Sequence, residues 1–225
     1  MATSSPPLEA LREECELVSE TVFALSEVEF ALPTRLPAWN VKELLGHMYR
    51  DIERTHTGLA EPEPAEADTD AMTYWRAYDP RTDSGGVADR AKEVAGRYAS
   101  GGELAAAWDV MWREAVDKAA AAGPDRIIPT WGPTMRLNEF LKTRVLEITV
   151  HRLDLDDALG RQGWGTDTAV GIVDDILVGL LGEEPPPELD WDVIDFIEKG
   201  TGREPLADDE REALGDLAAR FPLLA

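Results

Sequence analysis

The 225-residue chain carries 45 acidic against 22 basic residues, a net charge of −23 spread along its length, which excludes nucleic acid as an expected partner. The length supports a substantial core, and no apolar run approaches the roughly 18 residues of a membrane span. A single cysteine, Cys15, rules out an internal disulfide or a cysteine-based zinc site, and the polar, acidic N-terminus lacks a secretory pattern; a cytoplasmic protein is expected.

Ser5, Pro6 and Pro7 read as a helix start, and Leu8, Leu11, Cys15, Val18, Val22 and Leu25 then recur at spacings of three and four. Cys15 falls in that seam and reads as a small buried hydrophobe. Asn40 and Glu43 form the two ends of a capping box, opening a second helix with Val41, Leu44, Leu45, Met48 and Ile52 inward. His47 and Asp51 lie four apart on its flank, while His56, near its end, is expected to face solvent.

Residues 58–86, with Pro62, Pro64 and Gly85-Gly86, read as a long loop holding a short helix around Met72–Tyr78. Tyr74, Trp75 and Tyr78 suggest that it covers a site. A helix is expected from about Val87 to Ala99, broken by Gly101-Gly102, and another from Glu103 to Ala122. Ile127 to Pro129 should be extended, and Trp131-Gly132-Pro133 should turn into a helix from about Met135 to Leu159, closed by Gly160. Further helices are expected near 167–181, 190–199 and 208–220, with a break at Pro185-Pro186-Pro187. The class is all-α: an up-down four-helix bundle over residues 1–163 with a short helical C-terminal extension over 164–225.

The 135–159 helix is apolar over more than half its circumference yet carries Arg144, Glu147, His151 and Asp154 on one stripe. Burying such a stripe is expensive unless something satisfies it. His47, Glu147 and His151 meet the ligand count of a catalytic metal site, three protein ligands with positions left open. The Glu-x-x-x-His spacing is weakly informative alone. The scarcity of histidine adds weight, since two of the chain's three fall at bundle-facing positions. Each residue also has a plainer reading: a satisfied core histidine for His47, and an ion pair with other partners for Arg144 and Asp154.

The segment Leu36-Pro-Ala-Trp-Asn-Val-Lys-Glu-Leu-Leu-Gly-His47 resembles the tryptophan-then-helix block that opens the mycothiol-dependent maleylpyruvate isomerase family. Pro129-Thr-Trp-Gly-Pro-Thr-Met, followed by Arg144, Glu147, Val150-His151 and Asp154-Leu155, is similar to its second signature. The resemblance implies a DinB-like four-helix bundle, metal ligands at His47, Glu147 and His151, and a functionally important Asp154. It also implies a divalent metal, zinc first among zinc, nickel, iron and manganese, and mycothiol or a similar low-molecular-weight thiol. The family's isomerase uses that thiol to convert maleylpyruvate to fumarylpyruvate, and its relatives are similar to thiol S-transferases. That isomerase has a mixed α/β C-terminal domain supplying a functional arginine, whereas residues 161–225 read as short helices. Arg203, in the Thr201-Gly202-Arg203 turn, is a candidate for closing the site.

The expected activity is that of a thiol-dependent metalloenzyme, an S-transferase or an isomerase acting on a small electrophile as monomer or homodimer. Asp154 would orient a ligand or move a proton, and Arg144 would hold Glu147 or an anionic substrate. The alternatives are a hydrolase using metal-activated water and a non-catalytic metal-binding protein, the latter favoured if Asp51 or Asp154 closes the metal's coordination.

Overall fold

The computed structural model describes residues 4–78, 80–130 and 132–224, the side chains of 80–85 excepted; the expected turn residue Trp131 lies outside the described residues. Four long helices form the body: α1 (Pro6–Phe23), α3 (Val41–Gly58), α6 (Gly101–Ala122) and α7 (Leu137–Ala158), with the short α2 (Glu27–Phe30) between the first two. α1 and α3 each pack against both α6 and α7, which makes a four-helix bundle of the expected all-α class. Its core is continuous, from Leu11 and Val18 of α1 through Leu44, Met48 and Ile52 of α3 and Trp108 of α6 to Phe140, Val145 and Ile148 of α7.

Local chemistry sets where these helices begin. Asn40 accepts from the Glu43 amide at 2.9 Å while Glu43 accepts from the Asn40 amide at 3.0 Å, the reciprocal capping box expected for α3. Gly101 and Gly102 do not break the chain as expected but open α6, with the Ser100 side chain accepting from the Glu103 amide. Glu27 of α2 accepts from both glycine amides, at 2.8 and 3.0 Å, answering donors that a helix start leaves open. A side chain at Gly101 would drive into the Phe30 ring, its Cβ only 2.1 Å from Cδ2. The glycine is kept for packing.

Residues 58–86 are more helical than their composition suggests. The short helix is present as α4 (Ala71–Ala77), but α5 runs from Pro80 to Gly96, so that Gly85-Gly86 lies inside a helix. Proline suits a first helical position because its φ is already helical and its missing amide costs nothing there. Packing supplies the rest: α5 lies so close on α3 that a Cβ at Gly46 would stand 2.7 Å from the Ala91 carbonyl oxygen. Tyr74 and Trp75 are buried in the core, and α4 packs on α7 and on α8 (Asp167–Leu181).

Between α6 and α7 the extended residues form a small hairpin, β1 (Ile127–Pro129) antiparallel to β2 (Thr134–Arg136), with Ile128 opposite Met135. The preceding loop fastens to it, since Asp68 and Thr69 donate their amides to the Thr134 carbonyl. α8 packs on α1 and α7, and α9 (Val193–Gly200) on α8. A one-turn 3-10 segment at Pro187–Leu189 precedes α9; after it, α10 (Asp208–Leu214) passes into a 3-10 segment over Gly215–Arg220, where one longer helix was expected. Among the described residues no helix is long and apolar enough to cross a membrane.

Candidate metal centre

α7 is the helix with the most to bury, packing against α1, α3, α4 and α8. Its polar residues are therefore enclosed: Arg144 is 1% exposed and Asp154 0%. Facing it, α3 brings His47, seven residues past the N-cap Asn40 and so at the end of the second turn. Trp39, immediately before the cap, folds back so that its ring stacks on His47 at 4.7 Å between centroids. The His47 and His151 rings meet nearly perpendicular at 4.6 Å.

Glu147 Oε2 stands between the two histidines, 3.4 Å from His47 Nε2 and 3.3 Å from His151 Nε2. One ligand atom from each of His47, Glu147 and His151 lies within 4.8 Å of the other two, so the three could hold one metal ion. Helical geometry accounts for half of this, because Glu147 and His151 are one turn apart on the same face. The other half is tertiary, from the packing of α3 on α7. The site opens at Glu147, whose side chain is 19% exposed.

Behind the three stands a layer of charge that orients them. His151 Nδ1 donates to Asp154 Oδ2 at 2.8 Å, which leaves Nε2 as the nitrogen facing Glu147. Asp154 also accepts from Arg35 Nε at 2.7 Å and from Arg203 Nε and Nη2 at 3.1 and 2.9 Å. Arg35 continues to Glu198 at 2.8 Å. Arg144 does not hold Glu147. It donates from Nη1 to Asp51 Oδ1 at 3.0 Å, with Glu147 contributing only at longer range. Asp51 Oδ2 is buried 3.1 Å from His47 Nε2 and makes no hydrogen bond among the described residues.

These contacts shift the titration of Asp154, Glu147 and His151. Burial alone would raise the Asp154 carboxyl, but His151 and Arg203 outweigh it and hold it far below the usual carboxylate range. Burial likewise opposes charge on Glu147, yet its hydrogen bonds with His151 and His47 hold it well below its ordinary value. His151 responds in the opposite sense: burial would lower it, but Asp154 and Glu147 push it up to about 9. Without a metal, its proton stands where a cation would balance the carboxylates.

Arg35, Glu198 and the ring of Trp39 over His47 were not assigned roles from the sequence. Trp39 alone left a trace, as part of the block ending at His47. His56 stands apart from the centre, half-buried against Lys118 and Glu114 of α6, where a solvent-facing position was expected. Cys15 is fully buried, and burial together with the charge of Glu14 pushes its thiol well above its ordinary value; it is a packing residue.

A family model described as the mycothiol maleylpyruvate isomerase N-terminal domain matches residues 11–156, which contain His47, Glu147, His151 and Asp154. Two uncharacterized proteins of Mycobacterium tuberculosis, from strains CDC 1551 / Oshkosh and H37Rv, are similar to the chain, each 28% identical over 160 residues. The similarity covers 71% of this chain and 59% of each relative, so the relatives have length that the chain does not match. No solved structure matches the chain.

Proposed function

Because the chain belongs to the mycothiol maleylpyruvate isomerase N-terminal domain family, with its DinB-like helical fold, we propose that it is a metal-dependent enzyme using a mycothiol-type thiol. It would act as an S-transferase or an isomerase on a small electrophile. The observation that carries the reading is the convergence of His47, Glu147 and His151 on one point.

The donor set fits a divalent cation. Two imidazoles and a carboxylate form the usual mix for zinc, our first assignment, and the same nitrogens and oxygen suit nickel, iron or manganese. The orphaned Asp51 Oδ2 lies beside His47 but outside the three-residue cluster, so the reading as an enzyme takes His47, Glu147 and His151 as the ligands and leaves further positions open. When bound, the cation supplies a Lewis-acidic position that favours a thiol in its nucleophilic thiolate form.

The chain's own residues do the rest. Asp154 fixes the His151 tautomer, the role that carboxylates commonly take behind metal histidines. A carboxylate held so low by its donors is a poor proton acceptor near neutral pH, which assigns Asp154 to orientation in preference to proton transfer. Arg35 and Arg203 keep it charged, and through Arg203 the C-terminal segment is tied to the centre. Arg144 holds Asp51 beside His47. Trp39 covers one face of His47 and keeps water from it. The location that suits a thiol cofactor and a lone buried cysteine is the reducing cytoplasm.

Metal-loaded protein incubated with mycothiol and a panel of electrophiles tests the proposal. Consumption of thiol identifies a transferase, and isomerisation with thiol conserved identifies an isomerase. Turnover that needs no thiol replaces the proposal with hydrolysis, and absence of turnover leaves a metal-binding protein.

A further inference from the structure

α3 carries a second pair of charges that the metal centre does not use. Arg50 and Arg54 follow His47 and Asp51 at spacings of three, so the four lie along one side of the helix. The two arginines line an open cavity of about 470 Å³ together with Thr57, Glu61, Thr130 and Phe140.

Carboxylates outnumber cations two to one in this chain, and other enclosed arginines find one. Arg35 and Arg203 pair with Asp154, Arg144 with Asp51, and Arg152 with Glu14. Arg50 and Arg54 are also half-buried, yet neither forms an ion pair or side-chain hydrogen bond with any described residue. Glu61 is exposed and pairs with neither. Like charges four apart on a helix repel. Burial, Arg144 and then Arg50 all press the Arg54 guanidinium below its ordinary value, more than Tyr74 and Asp51 offset. Phe140 links the groups, because the Arg144 guanidinium lies over its ring at 4.9 Å while the ring also lines the cavity.

Two guanidinium forks spaced one helical turn apart suit the oxygens of a carboxylate or phosphate, with the buried Phe140 closing the floor of the cavity. We propose that this cavity is a binding site for a small organic anion bearing a carboxylate or a phosphate group, gripped by Arg50 and Arg54. The site is separate from His47, Glu147 and His151 and does not depend on the metal reading.

Titration calorimetry of the full chain with succinate and with inorganic phosphate, at constant ionic strength, tests it. The expected result is saturable binding of one probe in both metal-loaded and metal-stripped protein, the tighter probe identifying the oxyanion. Arg50→Gln combined with Arg54→Gln should weaken that binding roughly tenfold or more, the scale of a lost charge-assisted hydrogen bond. Absence of binding to wild type, or equal binding to wild type and the double variant, overturns the proposal. Should the double variant fail to fold, phenylglyoxal labelling of wild type read by mass spectrometry decides the matter. Protection of Arg50 and Arg54 by the anion supports the site, and unchanged labelling overturns it.

Discussion

α7 buries polar groups on two sides, and the two are built differently. On the side facing α1, Arg152 forms an ion pair with Glu14 at 2.8 Å, donates to the Trp164 carbonyl, and shares Glu14 with the Thr166 amide at 2.8 Å. The guanidinium has its carboxylate, so the charge is matched within the protein, although Glu14 Oε2 and Arg152 Nε, like Asp51 Oδ2 on the other side, make no hydrogen bond among the described residues. On the side facing α3, Glu147 stands between two imidazoles with a buried Asp51 oxygen close by, and among the described residues no lysine or arginine forms an ion pair with Glu147. A buried charge is thus a poor guide to function by itself. The useful distinction is whether the protein closes the arrangement or leaves acceptor atoms converging on a position that something else must fill.

The sharpest way to separate the two sides is to remove one partner from the closed one. Glu14→Ala leaves Arg152 buried without its carboxylate and should cost about 3–5 kcal/mol, lowering the melting temperature by roughly 10 °C in a chain of this size. Metal content should not change, and a matching loss of metal would show that both sides form one site. Next in size is Asp154→Asn, which weakens the hold on the His151 tautomer; metal affinity should fall roughly 10–100-fold while helicity is retained. Unaltered affinity in a metal titration would remove the orienting role.

The smallest effect is a pH dependence confined to the metal-free protein. His151 titrates at about 9 when folded against an ordinary 6.5, so its contribution to stability is complete below about pH 6.5 and is lost as pH rises through about 9. Melting temperatures of chelator-treated protein should drift downward across that window, with the buried Cys15 thiol adding a loss of the same sign only from about pH 8.5 upward. Metal-loaded protein, whose His151 is already deprotonated, should lack the drift below pH 8.5. Parallel curves for both forms would contradict the assignment of His151 as a ligand.

The long helices were legible because apolar residues at 3.6-residue periodicity leave a mark in any stretch of sequence, as in α1 from Leu8 to Val22 and α3 from Val41 to Ile52. The Asn40–Glu43 box was legible for a related reason, since both partners lie within one turn. His47, Glu147 and His151 could be singled out by scarcity and spacing. The helix over Pro80–Gly86 was hidden because paired glycines have low helix propensity, while the close contact of α5 with α3 at Gly46 falls further along, at Ala91 and Ala95. The hairpin around Ile128 and Met135 was too short for alternation to show. Arg35 pairs with Asp154 across 119 residues and with Glu198 across 163, and local spacing carries no trace of such partners. The same distance in sequence concealed Glu14 and Arg152, so the contrast between the two sides of α7 emerged only in three dimensions.

The central claim, that His47, Glu147 and His151 together hold a metal, is met most directly by elemental analysis of purified wild type beside Glu147→Gln, with far-UV circular dichroism to confirm the fold. The account predicts close to one divalent cation per wild-type chain and near-complete loss in the variant, with both equally helical. Full metal content in Glu147→Gln, or wild type that takes up no divalent cation when supplied with one, would contradict it.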